Sequence, residues 1–143
     1  MFELDKRLAA DTCWLGDLPL CRLLLMLDAN YPWRGLVPRR AGMTELHELS
    51  ESDQHQFMCE SSEVSEIMTR EFSADKMNIA ALGNMVPQLH IHHIARFHND
   101  AAWPKPVWGC VASMAYEKVL LQERVSTLKQ AFSDASLHFE VQP

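Results

Sequence analysis

The stretch Val86-Pro87-Gln88-Leu89-His90-Ile91-His92-His93-Ile94-Ala95-Arg96 holds three of the chain's seven histidines. Pro87 closes a turn that begins at Gly83, because proline fixes its own φ and glycine tolerates φ > 0. The alternation of polar and apolar residues beyond it predicts a strand over Gln88–Phe97. Side chains alternate between faces along a strand, so Gln88, His90, His92 and Ile94 point one way and Leu89, Ile91, His93 and Ala95 the other. One face is therefore polar, and it carries two imidazoles that repel each other when both are protonated. His93 and His98 read as ordinary structural histidines.

Working outward, Arg22–Leu27 reads as a strand, Asp28-Ala29-Asn30-Tyr31-Pro32 as a turn and Gly35-Leu36-Val37-Pro38 as a second strand, which makes a hairpin. Thr44 to Leu49 suggests a helical turn. Ser52 is placed to cap a helix running to about Phe72, with Phe57, Val64, Ile67, Met68 and Phe72 near one face. Lys76–Leu82 reads as a strand. Trp103-Pro104-Lys105-Pro106-Val107-Trp108-Gly109 is a loop, since two prolines prevent regular helix. From about Ser113 to Phe132, the residues Leu121, Val125, Leu128 and Phe132 repeat at helical spacing. The expectation is one α+β domain over residues 1–143, an antiparallel sheet of about five strands covered by an amphipathic helix, with a second helix at the C-terminus.

The whole chain limits the function classes. Its 143 residues, 48% hydrophobic and 22% charged, suit one ordinary globular domain, and a net charge of −6 gives no basic field for a nucleic-acid backbone. No run of about 18 uncharged apolar residues occurs, and Met1-Phe2-Glu3-Leu4-Asp5-Lys6 lacks the form of a signal peptide. Cys13, Cys21, Cys59 and Cys110 lack paired spacing, which suits reduced thiols. The expected setting is the cytoplasm, with no membrane and no nucleic acid as partner.

The strand and its flanks resemble the histidine-triad (HIT) superfamily. Val86-Pro87 and Arg96 set the register, so that Gln88 falls at the first triad histidine, His90 at the second and His92 at the third. Asp28 to Pro32 with Gly35 to Arg39 looks like the family's nucleoside-pocket hairpin, and Gly83-Asn84 resembles the Gly-Gln of its phosphate loop. Trp103 to Gly109 is similar to a bacterial HIT-like branch. This resemblance covers roughly Arg22 to Arg96.

The resemblance implies an enzyme that cleaves the α-phosphate bond of a nucleoside phosphoramidate or dinucleoside polyphosphate, by hydrolysis or transfer. His90 is then the nucleophile that forms a nucleotidyl-histidine, and His92 a hydrogen-bond donor to phosphate oxygens. Gln88 completes the catalytic set. Asp28, Asn30, Gly83, Asn84 and His92 are the nucleotide-binding residues, with Asn78 and Arg96 structural. No cofactor or metal is required, purines are the preferred bases, and a homodimer is expected, with Leu121, Val125, Leu128 or the Trp103–Trp108 loop as candidate interface.

The chain departs from the family pattern twice. The primary amide of Gln88 cannot relay a proton, and the thioether of Met85 stands where many relatives place a serine hydroxyl. These departures keep a non-catalytic nucleotide-binding or interaction module open as an alternative. A metal-dependent protein using the histidine cluster is the second, although zinc needs three or four ligands and His93 faces away.

Overall fold

A computed structural model describes residues 1–135 and 138–142. The elements run α1 (Lys6–Asp11), β1 (Thr12–Asp17), β2 (Cys21–Met26), β3 (Trp33–Pro38), a 3-10 turn (Leu46–Glu48), α2 (Glu51–Phe72), β4 (Lys76–Ala80), β5 (Ile91–Arg96), α3 (Lys118–Ser133) and β6 (Glu140–Val141). The six strands form one antiparallel sheet in the order β4-β5-β3-β2-β1-β6.

The sheet is covered on both faces, which is why the run around Leu23-Leu24-Leu25 does not alternate with polar residues. Leu23, Leu25 and Leu36 face a core completed by Phe57, Val64, Ile67 and Met68 of α2 and by Leu128 and Phe132 of α3. On the other face, Leu24 and Val37 meet Leu8 of α1 and the N-terminal residues Phe2 and Leu4. Beside them Trp33 and Ile94 pack with Tyr31, Ala102 and Val107. Each fully buried leucine contributes roughly 1.5–3 kcal/mol.

Strand β1 and the short β6 were not expected, so the sheet has six strands rather than about five. β1 is marked only by Leu15 in the core, and its register shifts between Trp14 and Gly16. Gly16 permits β6 to close on it, because a Cβ there would run into the Glu140 carbonyl and the Phe139 ring. That requirement is long-range and leaves no local pattern.

The helix boundaries also move for identifiable reasons. Ser50, not Ser52, caps α2, its hydroxyl accepting from the Asp53 N–H. α3 begins at Lys118 rather than near Ser113, because residues 112–114 are laced to the Asp28 turn. The Ala29 N–H donates to the Met114 carbonyl at 2.7 Å, the Met114 N–H to Asp28 Oδ1 at 3.2 Å, and Asn30 Nδ2 to the Ala112 carbonyl at 2.9 Å. β5 begins at Ile91 rather than Gln88, since its pairing with β3 and β4 reaches no further back than Ile91.

A buried carboxyl ties α2 to the β1–β2 turn. Glu60, 0% exposed, accepts the Leu20 and Cys21 N–H groups at 3.0 and 2.8 Å, and Gln56 Nε2 at 2.8 Å. Glu60→Ala leaves both buried N–H groups without an acceptor and is expected to destabilise the fold by about 2–4 kcal/mol. Urea unfolding at neutral pH checks this, and Glu60→Gln should retain part of the loss.

Candidate active site

Although residues 88–90 lie just outside the β5 ladder, they keep the alternation, so that His90 and His92 share a face. Their rings meet edge to face at 4.9 Å, and both are nearly buried, at 8% and 5% exposure. His90 Nδ1 lies 2.7 Å from the Gln88 backbone carbonyl. A carbonyl only accepts, so Nδ1 carries the proton and the neutral ring keeps its lone pair on Nε2. Such a fixed acceptor suits the role expected of His90, and the residue two before it supplies it from its main chain.

The Gln88 side chain is engaged elsewhere. Its Oε1 accepts the Asp5 N–H and its Nε2 donates to the Glu3 carbonyl, both at 2.8 Å. Gln88 thus brings its carbonyl to the histidines while its amide fastens the N-terminal segment. Arg7 adds a second tie, donating from Nη1 to the Met85 carbonyl at 2.9 Å. Met85 itself is exposed, and so is Asn84, which has no hydrogen-bond partner among the described residues. Gly83 sits at φ +74°, the left-handed conformation that favours glycine in this turn.

His92 is surrounded by aromatic rings. Trp33 lies at 5.4 Å and Trp108 at 5.2 Å, and Trp33 Nε1 is 2.9 Å from His92 Nδ1. Burial first, then the neighbouring His90 and His93, lower the His92 pKa to about 4. His93 faces α2 as the alternation requires. Its Nδ1 donates to the Ile91 carbonyl and its Nε2 lies 2.7 Å from the Ser61 hydroxyl, while burial lowers its pKa to about 4 as well. Among the described residues, no group of three His, Cys, Asp or Glu is placed to hold a metal ion.

These two depressed values make stability depend on pH. The unfolded chain takes up protons on these rings near 6.5 and the folded chain only near 4. Their contribution is therefore complete above pH 6.5 and is lost as the pH falls toward 4, on the order of 3 kcal/mol for each ring. Urea midpoints should drop between pH 7.5 and pH 5.

Asp28 and Trp33 line a cavity of about 360 Å³ together with Asp11, Met26, Leu27 and Ser113. Trp33 joins this cavity to the histidine pair. Asp28 Oδ1 already accepts from the Asn30 N–H, Asn30 Nδ2 and the Met114 N–H, while Asn30 Nδ2 is spent on Asp28 and Ala112. Of the residues expected to bind a nucleotide, Asp28 lines this cavity, His92 touches its Trp33 wall, Asn30 braces Asp28, and Gly83 with Asn84 belong to a loop whose Asn84 is exposed. The candidate interface residues pack within the chain. Leu128 is fully buried, Leu121 and Val125 lie against the core, and Trp103 meets His98 at 4.9 Å.

Trp33 and Trp108 were absent from the predicted site. Gly35 pairs with His92 across β3 and β5, so Trp33, two residues before Gly35, is a same-face diagonal neighbour of His92. Only the strand register reveals this. Trp108 arrives through a loop braced by Arg96, whose guanidinium pairs with Asp100 and donates to Asn78 Oδ1 and the Lys105 carbonyl. The structural roles expected of Asn78 and Arg96 are those seen.

The HIT domain family model matches residues 7–99. Among solved structures, a histidine triad protein from Bradyrhizobium japonicum is 48% identical, with 91% of this chain and 97% of that one covered and a TM-score of 0.88. A histidine triad protein from Marinobacter aquaeolei VT8 is 47% identical over 95% and 99% of the two chains, with a TM-score of 0.91. One from Sinorhizobium meliloti 1021 is 39% identical over 94% and 96%, with a TM-score of 0.86. Among curated proteins there is no match. With the family match and structural similarity over most of the chain in agreement, the chain belongs to the histidine-triad (HIT) family.

Proposed function

We propose that this protein cleaves the α-phosphate bond of a purine nucleoside phosphoramidate or dinucleoside polyphosphate through a nucleotidyl-histidine at His90. Family membership supports the coarser statement, a nucleotide-binding hydrolase or transferase at the level of the superfamily. The observation that carries the finer one is the hydrogen bond from His90 Nδ1 to the Gln88 carbonyl, which leaves Nε2 free to attack.

In this mechanism Nε2 of His90 forms a bond to the α-phosphorus. The bond from phosphorus to the leaving nitrogen or oxygen breaks, and the leaving group departs with that electron pair. His92, neutral at physiological pH, donates to a non-bridging oxygen as charge accumulates there. Water then attacks the phosphorus, the P–N bond to His90 breaks, and the nucleoside monophosphate is released. The amide of Gln88 is committed to the N-terminal segment, so the proton for the leaving group comes from solvent or the substrate. Phosphoramidates, whose leaving amine accepts a proton readily, are accordingly favoured over polyphosphates. Asp28 Oδ2 is available to ribose hydroxyls in the adjoining cavity.

No cofactor is assigned to this chemistry. The cytoplasm is the compartment proposed with it, a reading supported by the free thiols of Cys13, Cys21, Cys59 and Cys110. No described helix is long and apolar enough to cross a membrane. A homodimer is part of the same reading, supported by the open β4 edge with Ile79 half exposed, and a monomer mass by light scattering would remove it.

The test is release of AMP from adenosine 5′-phosphoramidate and diadenosine polyphosphates with excess chelator present. Release that survives the chelator supports the proposal. Saturable nucleotide binding without release would favour a binding module, and release abolished by chelator would favour a metalloenzyme.

A further inference from the structure

Two tryptophans stand at nearly equal distances from the His92 ring, 5.4 Å for Trp33 and 5.2 Å for Trp108, yet only Trp33 hydrogen-bonds to it. The direction of that bond follows from chemistry alone. An indole N–H donates and cannot accept, so His92 Nδ1 must present its lone pair. The single proton of the neutral ring then sits on Nε2, which has no protein partner among the described residues. His90 meets the ring at 83° and Trp108 at 64°, and Trp33 and Trp108 meet each other at 5.6 Å and 89°. The ring is held by one hydrogen bond and three edge contacts, which leaves it one orientation.

We infer that Trp33 is a positioning residue for nucleotidyl transfer, holding His92 as a neutral imidazole whose sole donor, Nε2–H, is kept for the substrate phosphate. The inference rests on the His90 reading given above. A donor bonded to Nδ1 must be given up before that nitrogen can take a proton, so Trp33 opposes ionisation in the same direction as burial. The groups around His92 leave few other sources of control. The ionisable neighbours are His90 on the same segment and His93 on the opposite face, whereas Gly35 and Trp33 of β3, Ala80 of β4 and Trp108 of the loop carry no charge. No carboxylate contributes to the depression of the His92 pKa.

Two consequences follow for the reaction. His92 enters the transition state as a hydrogen-bond donor of fixed direction, so its contribution does not change across physiological pH. A ring free to turn about its χ2 angle would present Nδ1 or a carbon to the phosphate in part of the population, and would take up a proton more readily than the held ring. Both effects reduce turnover more than substrate affinity.

Long-range 1H–15N NMR of uniformly 15N-labelled protein tests this together with steady-state kinetics. In the wild type, His92 should show a protonated Nε2 and an unprotonated Nδ1, with titration only near pH 4. In Trp33→Phe the titration should move up from about 4, with burial still holding it below the ordinary value, an inflection should enter the pH–rate profile at the raised value, and kcat should fall roughly tenfold or more, by a larger factor than KM changes. Trp108→Phe removes an equally close ring without removing a hydrogen bond, and should keep the wild-type His92 tautomer. A wild-type His92 protonated on Nδ1, or a Trp33→Phe variant with unchanged His92 shifts and titration, would overturn the inference. The wild-type spectrum decides the tautomer even if Trp33→Phe does not fold. It also separates this inference from the proposed reaction, because a wild type with the expected tautomer but no AMP release contradicts the reaction and not the hydrogen bond.

Discussion

Replacing His90 by alanine is expected to lower AMP release from adenosine 5′-phosphoramidate by at least about a thousandfold while leaving the fold and nucleotide affinity close to those of the wild type. The size of the effect follows from the role, since removal of a covalent nucleophile closes the two-step route. The small effect on folding follows from the surroundings. His90 makes one hydrogen bond, to a main-chain carbonyl two residues away, and is not part of the main hydrophobic core. Comparing kcat/KM with an independent binding measurement separates the two. His90→Asn keeps a polar side chain but supplies no nucleophilic nitrogen, and should be equally inactive.

The largest loss of stability is expected at Asp100. Its two oxygens accept from Arg96 Nε at 2.7 Å and Nη2 at 3.0 Å, and from the Phe97, Ala102 and Trp103 N–H groups at 3.1, 3.1 and 2.7 Å. The ion pair is almost wholly enclosed, with side chains 1% and 4% exposed. Asp100→Ala leaves a buried guanidinium without its counter-charge and three N–H groups without an acceptor, and should cost about 3–5 kcal/mol. It should also loosen the loop that carries Trp108 to His92. Burial works against ionisation of Asp100, but the Arg96 guanidinium and the three N–H groups outweigh it and hold the carboxyl at about 2, below the ordinary 3.8. This stabilisation is complete above pH 3.8 and is lost as the pH falls through about 2. Urea unfolding should therefore show wild type and Asp100→Ala converging over that window.

Much of the fold was legible because its signals are local. The α2 and α3 stripes, the Asp28–Pro32 turn and the alternation after Pro87 each arise within a few residues, and each corresponds to an element or turn in the structure. What was hidden depends on partners distant in sequence. β1 is recognisable once β2 and β6 flank it. The late start of α3 depends on hydrogen bonds from residues 112–114 to the Asp28–Asn30 turn. The capping position of α2 moved by two residues because both Ser50 and Ser52 offer the same chemistry.

The candidate site divides in the same way. The pairing of His90 with His92 follows from strand alternation, and His93 turning toward α2 follows from it as well. The acceptor for His90 was invisible because a backbone carbonyl carries no residue identity. Gln88 drew notice through its side chain, whereas its main chain reaches His90 and its amide fastens residues 3–5 to the site. Trp33 required the β3–β5 register, which no short window of sequence contains. Arg96 and Asp100 lie four residues apart, yet they act by bracing a loop whose path only the structure supplies.

The most direct test of the account is to trap the intermediate. Wild-type protein mixed with excess adenosine 5′-phosphoramidate, quenched within a turnover and held at alkaline pH to preserve the P–N bond, should gain the mass of one adenylyl group, and peptide mapping should place it on His90. AMP release with no adduct at any time point, or an adduct carried by a residue other than His90, would contradict transfer through this histidine.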